Sequence, residues 1–152
     1  MLKNIDVMLN ADLLHALRSM GHGDQIAVVD TNFPTDRIAR QTVVGKALHV
    51  DNVGAARAVQ AILSVMPLDT ALQNSAGRME VSGNPDEIPM VQREVQLQVN
   101  LAEGRDCPMY SIERFAFYEL AKKAYCVVQT GEPRFFGCFL LTMGVIPPAA
   151  NE

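Results

Sequence analysis

The sequence contains no tryptophan, and aromatic residues make up only 6% of the chain. Its three cysteines are odd in number and far apart, at Cys107, Cys126 and Cys138, so no C-x-x-C pair occurs. Glycosylation acceptors of the form N-x-S/T are also missing. These absences argue against a secreted disulfide scaffold and are typical of a reduced, cytoplasmic protein.

Charge and hydropathy exclude two further classes of partner. The 17 Asp and Glu residues outnumber 13 Lys and Arg, which gives a net charge of −4, and the two signs are interspersed. Because no basic stripe is available to neutralise phosphates, we expect no nucleic-acid partner. No segment approaches the roughly 20 apolar residues of a membrane span. Charged residues also interrupt the N-terminal segment where a signal peptide would need an apolar run.

Apolar spacing and chain-breaking residues predict alternating helices and strands. We predict helices at residues 11–20, 51–67, 84–104 and 114–124. We predict strands at residues 25–30, 41–50, 78–83, 125–130 and 135–142, with a turn or short helix entry at 31–36. The alternation predicts an α/β fold, a three-layer α/β/α arrangement around a mixed, mostly parallel sheet, in a single domain spanning residues 1–152.

Residues 84–104 carry two conflicting patterns. Asn84, Pro85 and the two acidic residues behind them are typical of a helix start. The run VQLQVNL alternates strictly, which favours a strand. We predict a helix because of the cap, with Pro89 as the place where it kinks or restarts.

His22 is the sharpest candidate for chemistry, because it lies between Gly21 and Gly23 directly after the first predicted helix. Flanking glycines let the backbone turn freely and let a ligand approach closely. An imidazole both accepts and donates a proton near neutral pH. The alternative is a loop histidine whose charge meets the dipole at the end of the helix. His15 and His49 are expected to be structural.

Two aspartates follow His22 along the chain. Asp24 either holds the imidazole in one tautomer or closes the turn. Asp30 ends an apolar strand, at the kind of edge where parallel sheets bind ligands. Its carboxylate is therefore interpreted either as a cap for the following helix or as a hydrogen-bond acceptor for a ligand.

Further candidates lie in the C-terminal third. Arg114 and Tyr118 are four residues apart, so they share a helical face. The guanidinium of Arg114 offers several N–H donors there, and the hydroxyl of Tyr118 can donate or accept a hydrogen bond. The alternative is a surface arginine packed over a tyrosine.

The sequence has no Gly-rich phosphate loop, no G-x-S-x-G and no H-E-x-x-H. We expect acid/base chemistry on a neutral polar ligand, without a cofactor or a metal.

The last predicted strand contains a glycine among large side chains. Strict alternation places Phe136 and Cys138 on one face and Phe135, Gly137 and Phe139 on the other. A glycine inside a strand marks a bulge or a close approach of another backbone.

Five motifs occur in order along nearly the whole chain: MGHGD, then Asp30 with NFP just behind it, then RFAFYE, TGE and FGCFLLTMGVIP. This set resembles the fucose mutarotase and ribose pyranase family. The motifs GHGD and RFAFYE resemble those of the fucose mutarotase branch. Members of the ribose pyranase branch usually have threonine at the position of Gly23.

The resemblance implies a role for each matching residue. It implies that His22 is the general acid/base residue, that Asp30 and Arg114 bind the sugar, and that Phe136-Gly137-Cys138 line the same pocket. The chain departs from the family pattern within that last segment. Members usually have Tyr-Gly-Asn there, so two hydrogen-bonding groups are missing from this sequence.

The resemblance also implies a ring-shaped homo-oligomer, a decamer, with sites between subunits. The spacing of His22 and Asp30 gives an independent reason for a shared site. Eight positions of mostly extended chain, at about 3.3 Å each, would hold them on the order of 20 Å apart. Either the GHGDQ segment folds back over the strand, or a neighbouring subunit supplies one of the two residues.

The implied activity is a mutarotase that interconverts the α and β anomers of L-fucose or a related aldose by ring opening and closure. His22 would carry one proton, and Tyr118, or a water held by Asp30, the other. Two alternatives remain open from the sequence. One is a non-catalytic monosaccharide-binding accessory of sugar uptake, and the other is a D-ribose pyranase.

Overall fold

The computed structural model describes residues 2–149, and helices and strands alternate along most of them as the sequence predicts, apart from a short strand, Tyr110–Ile112, that was not predicted. The helices of this segment are α1 Ala11–Ser19, α2 Thr35–Ala39, α3 Ala55–Leu63, α4 Met90–Glu103 and α5 Arg114–Lys123. The strands are β1 Gln25–Val29, β2 Leu48–Val50, β3 Ala76–Met79, β4 Tyr110–Ile112, β5 Cys126–Thr130 and β6 Phe139–Thr142. No helix within this range is both long and apolar enough to cross a membrane.

The strands form one sheet in the order β2-β5-β1-β6-β3-β4. Strand β6 runs antiparallel to both of its neighbours, β1 and β3, and the other three pairings are parallel. The prediction of a mixed, mostly parallel sheet is therefore confirmed.

The two faces of the sheet bury separate hydrophobic clusters. In β1, Ile26 and Val28 belong to the cluster that α1, α3 and α4 cover, whereas Ala27 and Val29 belong to the cluster under α2 and α5. This follows from the two-residue repeat of a strand, in which successive side chains point to opposite faces. Helices on both sides of the sheet make three layers, as the sequence predicts.

Helix α4 begins later than predicted. Its first residue is Met90, with Pro89 at the cap position, and the segment from Asn84 to Glu87 forms a turn closed by the Glu87 N–H on the Asn84 carbonyl. The prediction of a start at Asn84 was wrong, because Pro89 has no N–H to continue a helix and clashes with the turn before it. The helical reading of VQLQVNL is right, since Val91, Val95 and Val99 are buried on one stripe.

Three strands also differ from their predicted ranges. Strand β2 occupies only the end of 41–50, because Gly45 adopts φ +73° and ends any extended run there. Strand β3 begins two residues before the predicted 78–83 and ends four residues earlier. Strand β6 begins at Phe139 rather than at Phe135, because Phe136 has φ +62°, which no strand residue adopts.

Candidate functional site

A cavity of about 340 Å³ opens at the edge of the sheet where β1 and β3 end and β6 begins. Nine residues from four parts of the chain line it: Asp30, Asn32, Phe33, Met79, Arg114, Tyr118, Phe135, Phe136 and Cys138. Most of the residues singled out from the sequence therefore share one concave site. Its position fits the rule that open α/β sheets bind ligands beyond the carboxyl ends of their strands.

Asp30 is the buried acid of this cavity, with 4% of its surface exposed. One carboxylate oxygen accepts the Asn32 N–H at 3.0 Å. The other accepts the Gly137 N–H at 3.1 Å and the Cys138 thiol at 3.4 Å. Burial raises the pKa of Asp30 above its ordinary value, and these hydrogen bonds oppose the rise only in part. The carboxylate is thus fixed in orientation and aimed at the cavity from one wall.

Arg114 and Tyr118 form a more exposed part of the wall. The Arg114 Nε donates a hydrogen bond to the Tyr118 hydroxyl at 3.1 Å, which confirms that the two side chains share a helical face. The ring of Tyr118 packs edge-to-face on Phe33, with centroids 5.3 Å apart. A guanidinium, a phenol and a carboxylate in one lining give this cavity both donors and acceptors for hydroxyl groups.

Phe136 owes its place to an unusual backbone. Its φ of +62° turns the chain just before β6, and its carbonyl accepts a hydrogen bond from the buried Gln92 amide at 2.9 Å. Phe135 lines the cavity together with Phe136 and Cys138, so the assignment of Phe135 to the opposite face was wrong. Alternation does not apply there, because residues 135–138 are not part of the strand.

Gly137 is required by close packing. A Cβ at this position would lie 2.8 Å from the Cγ of Glu132 and 3.3 Å from the Cβ of Asp30. The absence of a side chain lets the backbone N–H approach the Asp30 carboxylate directly. The glycine therefore serves the close approach that its position among large residues predicts.

An ion-pair network holds the loop that carries the two phenylalanines. The Glu132 side chain is buried, and it accepts bonds from the Arg134 side chain and from the Ala55 N–H at the start of α3. Arg134 also pairs with Glu94 of α4 through both of its terminal nitrogens, at 3.0 and 2.7 Å. The Arg134 guanidinium holds the pKa of Glu132 and of Glu94 below their ordinary values. Sequence reasoning did not find this network, since Glu94 and Ala55 lie far along the chain from Glu132 and Arg134.

His22 lies away from this cavity, ahead of the amino end of β1. Its Nε2 is 2.8 Å from an Oδ2 of Asp69, and 55% of the imidazole is exposed. Gly23 adopts φ +87°, and its N–H donates to the Met143 carbonyl, which fixes the loop against the end of β6. The imidazole is thus held at one nitrogen while its remaining surface faces outward.

Asp69 is a partner of His22 that sequence reasoning missed. Only 6% of its side chain is exposed, and its second oxygen accepts the Ala71 N–H. Asp24, the partner suggested by the sequence, instead accepts the Gly21 N–H at 2.8 Å and so closes the turn. Nothing local marks Asp69, because 47 residues of chain separate it from His22.

His15 and His49 are exposed and lie outside the lining of the cavity. Across residues 2–149, no cluster of three or more His, Cys, Asp or Glu side chains is arranged to hold a metal ion.

Comparison with known proteins gives consistent matches over nearly the full chain. The model of the family described as RbsD / FucU transport protein family matches residues 3–146. Fucose mutarotase of Danio rerio is 38% identical over 151 residues, which cover 97% of this chain and 95% of the relative. The crystal structure of protein Atu2016 is 69% identical with a TM-score of 0.95, and the match covers 97% of each chain. Fucose mutarotase from Streptococcus pneumoniae, solved in complex with L-fucose, is 33% identical with a TM-score of 0.84 over 96% of this chain and all of the other.

Proposed function

The chain belongs to the RbsD / FucU transport protein family, and we propose that it is an aldose mutarotase, an isomerase that interconverts the α and β anomers of L-fucose or a closely related sugar. Curated relatives that are similar over nearly the whole chain, in vertebrates and bacteria, are named fucose mutarotases. The family resemblance found in the sequence motifs is confirmed by these matches.

One observation carries the proposal: the cavity brings Asp30, Arg114 and Tyr118 together around a partly aromatic wall. Its volume, about 340 Å³, is in the range of sites for small molecules. Asp30 and Arg114 orient the sugar hydroxyls, because a buried polar group left unpaired costs about 1–3 kcal/mol and so disfavours a wrong sugar. Phe136 offers an apolar face to the ring or to a C6 methyl group.

The reaction needs two proton carriers. Ring opening removes the proton of the anomeric hydroxyl and protonates the ring oxygen, and rotation about C1–C2 before closure gives the other anomer. We assign one proton to His22, whose imidazole is held by Asp69, and the other to Tyr118 or to a water held by Asp30. Positioned proton transfer of this kind contributes about 10²–10⁴-fold.

These proton carriers require a second subunit. His22 precedes β1 and Asp30 follows it, so the strand itself separates the imidazole from the cavity of the same chain. We propose that each site combines the cavity of one subunit with His22 of its neighbour, in a closed homo-oligomer such as a decamer. The outward-facing surface of the imidazole is consistent with that arrangement.

The departure at Phe136 and Cys138 bears on which sugar is bound. The usual Tyr and Asn would each offer a hydrogen bond, whereas Cys138 directs its thiol to Asp30 instead. We infer that the cavity selects sugars mainly through Asp30 and Arg114.

The three cysteines are free and buried, which supports a reducing compartment such as the cytoplasm.

Saturation transfer between anomer signals in NMR tests the proposal, with L-fucose, D-ribose and D-galactose as the panel. The proposal predicts faster exchange of the fucose anomers in the presence of the protein. Acceleration of ribose pyranose-to-furanose exchange alone would make the chain a ribose pyranase. Sugar binding without any acceleration would make it a binding protein.

A further inference from the structure

A second cavity, of about 400 Å³, lies beside the first turns of α4. Arg78 and Arg93 both line it, and Asp86 is also part of the wall. None of these three residues lines the cavity around Asp30, so the two cavities have different lining residues. The lining carries two positive charges and one negative charge, in a protein whose net charge is −4.

Arg78 is a buried cation without a negative partner. Only 8% of its surface is exposed, and the hydrogen bonds of its guanidinium go to neutral oxygens, the Gln92 side-chain carbonyl and the Pro85 backbone carbonyl, both at 3.1 Å. A guanidinium does not lose its charge in a protein, and burying a charge is costly unless an opposite charge compensates it. Two of its five N–H groups are used in these bonds, which leaves donors for a further acceptor.

The acidic side chains nearby do not supply this compensation. Among residues 2–149, the arginines with a carboxylate oxygen within 4.0 Å are Arg40, Arg57 and Arg134. Asp86 therefore shares the cavity with Arg78 and Arg93 but is paired with neither. The Arg93 Nε donates to the Ile88 carbonyl, which holds that side chain along the rim and leaves its terminal nitrogens available.

We propose that this cavity binds a small oxyanion, the phosphate or carboxylate group of a metabolite, between Arg78 and Arg93. The planar fork of a guanidinium matches the oxygens of both groups, and such charge-assisted bonds are stronger than those Arg78 makes to neutral oxygens. The site connects to the sugar cavity through Gln92, whose amide donates to the carbonyls of Met79 and Phe136.

Methyl NMR of protein labelled at the methionine methyl groups tests this binding directly. Met109 lines the cavity, and its resonance is assigned by Met109→Leu. Inorganic phosphate and acetate are titrated separately, with chloride replacing them at equal ionic strength. We expect a saturable shift of the Met109 signal with one or both oxyanions and none with chloride. The oxyanion that binds more tightly identifies the preferred group.

Arginine variants make the test specific. Arg93→Gln, on the exposed rim, is expected to weaken oxyanion binding about tenfold by removing one charge-assisted contact. Arg18→Gln makes the same charge change at an exposed position of α1 outside the cavity lining, and is expected to leave the affinity unchanged. The proposal is overturned if neither oxyanion gives a saturable shift, or if Arg93→Gln binds as tightly as wild type. Because anomer exchange is not the readout, failure here leaves the proposed function untouched.

Discussion

His22 and Asp30 lie beyond opposite ends of one strand, β1, with the imidazole ahead of Gln25 and the carboxylate directly after Val29. The five residues of β1, at about 3.3 Å each, put the two ends of the strand about 16 Å apart. A single sugar ring does not reach across that distance. The proposed mechanism therefore depends on which chain supplies each group to one site.

Mixing two inactive chains tests whether a site spans two subunits. His22→Ala and Asp30→Ala are each expected to be nearly inactive alone. Coexpressed in equal amounts, they should recover about a quarter of the wild-type rate, because one site in four then combines an intact histidine with an intact cavity. Coexpression of His22→Ala with the double variant is the control and should recover nothing. A mixture as inactive as its components would assign both residues to sites within one chain.

Asp69→Asn tests whether the carboxylate positions His22. The charge-assisted hydrogen bond at 2.8 Å fixes the imidazole, and bonds to charged groups contribute about 1.5–3 kcal/mol. We expect kcat for anomer exchange to fall by roughly 10–100-fold. We expect KM to change little, because Asp69 does not line the sugar cavity. A rise in KM with kcat intact would instead place Asp69 in sugar binding.

The raised pKa of Asp30 predicts a defined pH dependence of stability. Burial favours the protonated carboxyl, so between the ordinary pKa of 3.8 and the raised value the folded protein holds more protons than the unfolded chain. Stability from this group is therefore greatest at low pH and falls as the pH rises through that window. Asp30→Asn lacks this titration. The difference in melting temperature, wild type minus Asp30→Asn, should decrease as the pH is raised above 3.8, and a flat difference would contradict the assignment.

The general architecture could be predicted from sequence because its signals are local. The Asn10 cap on α1 is observed, with its side chain accepting the Leu13 N–H, and the helix ends one residue before the predicted position. Continuous apolar runs correctly predicted β1 and β5 as strands buried on both faces. The alternation of helix and strand then led to the correct layers.

The site was only partly predictable, because some of its contacts connect distant parts of the chain. Asp30, Arg114 and Tyr118 could be singled out by their places at a strand end and on one helical face. No sequence pattern marks Asp69 as a partner of His22, because their pairing depends on the loop after α3 meeting the end of β6. The alternation pattern placed Phe136 within a strand, whereas it adopts a positive φ. Its carbonyl is held by Gln92 of α4, a contact that exists only once the helix packs against the loop.

The central claim is that the imidazole of His22 carries a proton during anomer exchange, and saturation transfer on L-fucose with His22→Ala beside wild type tests it most directly. His49→Ala, which removes an exposed imidazole outside the cavity, is the matched control. We predict that His22→Ala loses about 10²–10⁴-fold of the catalysed rate while the control keeps it, with both variants folded at the assay temperature. Equal exchange rates for wild type and His22→Ala would contradict the claim.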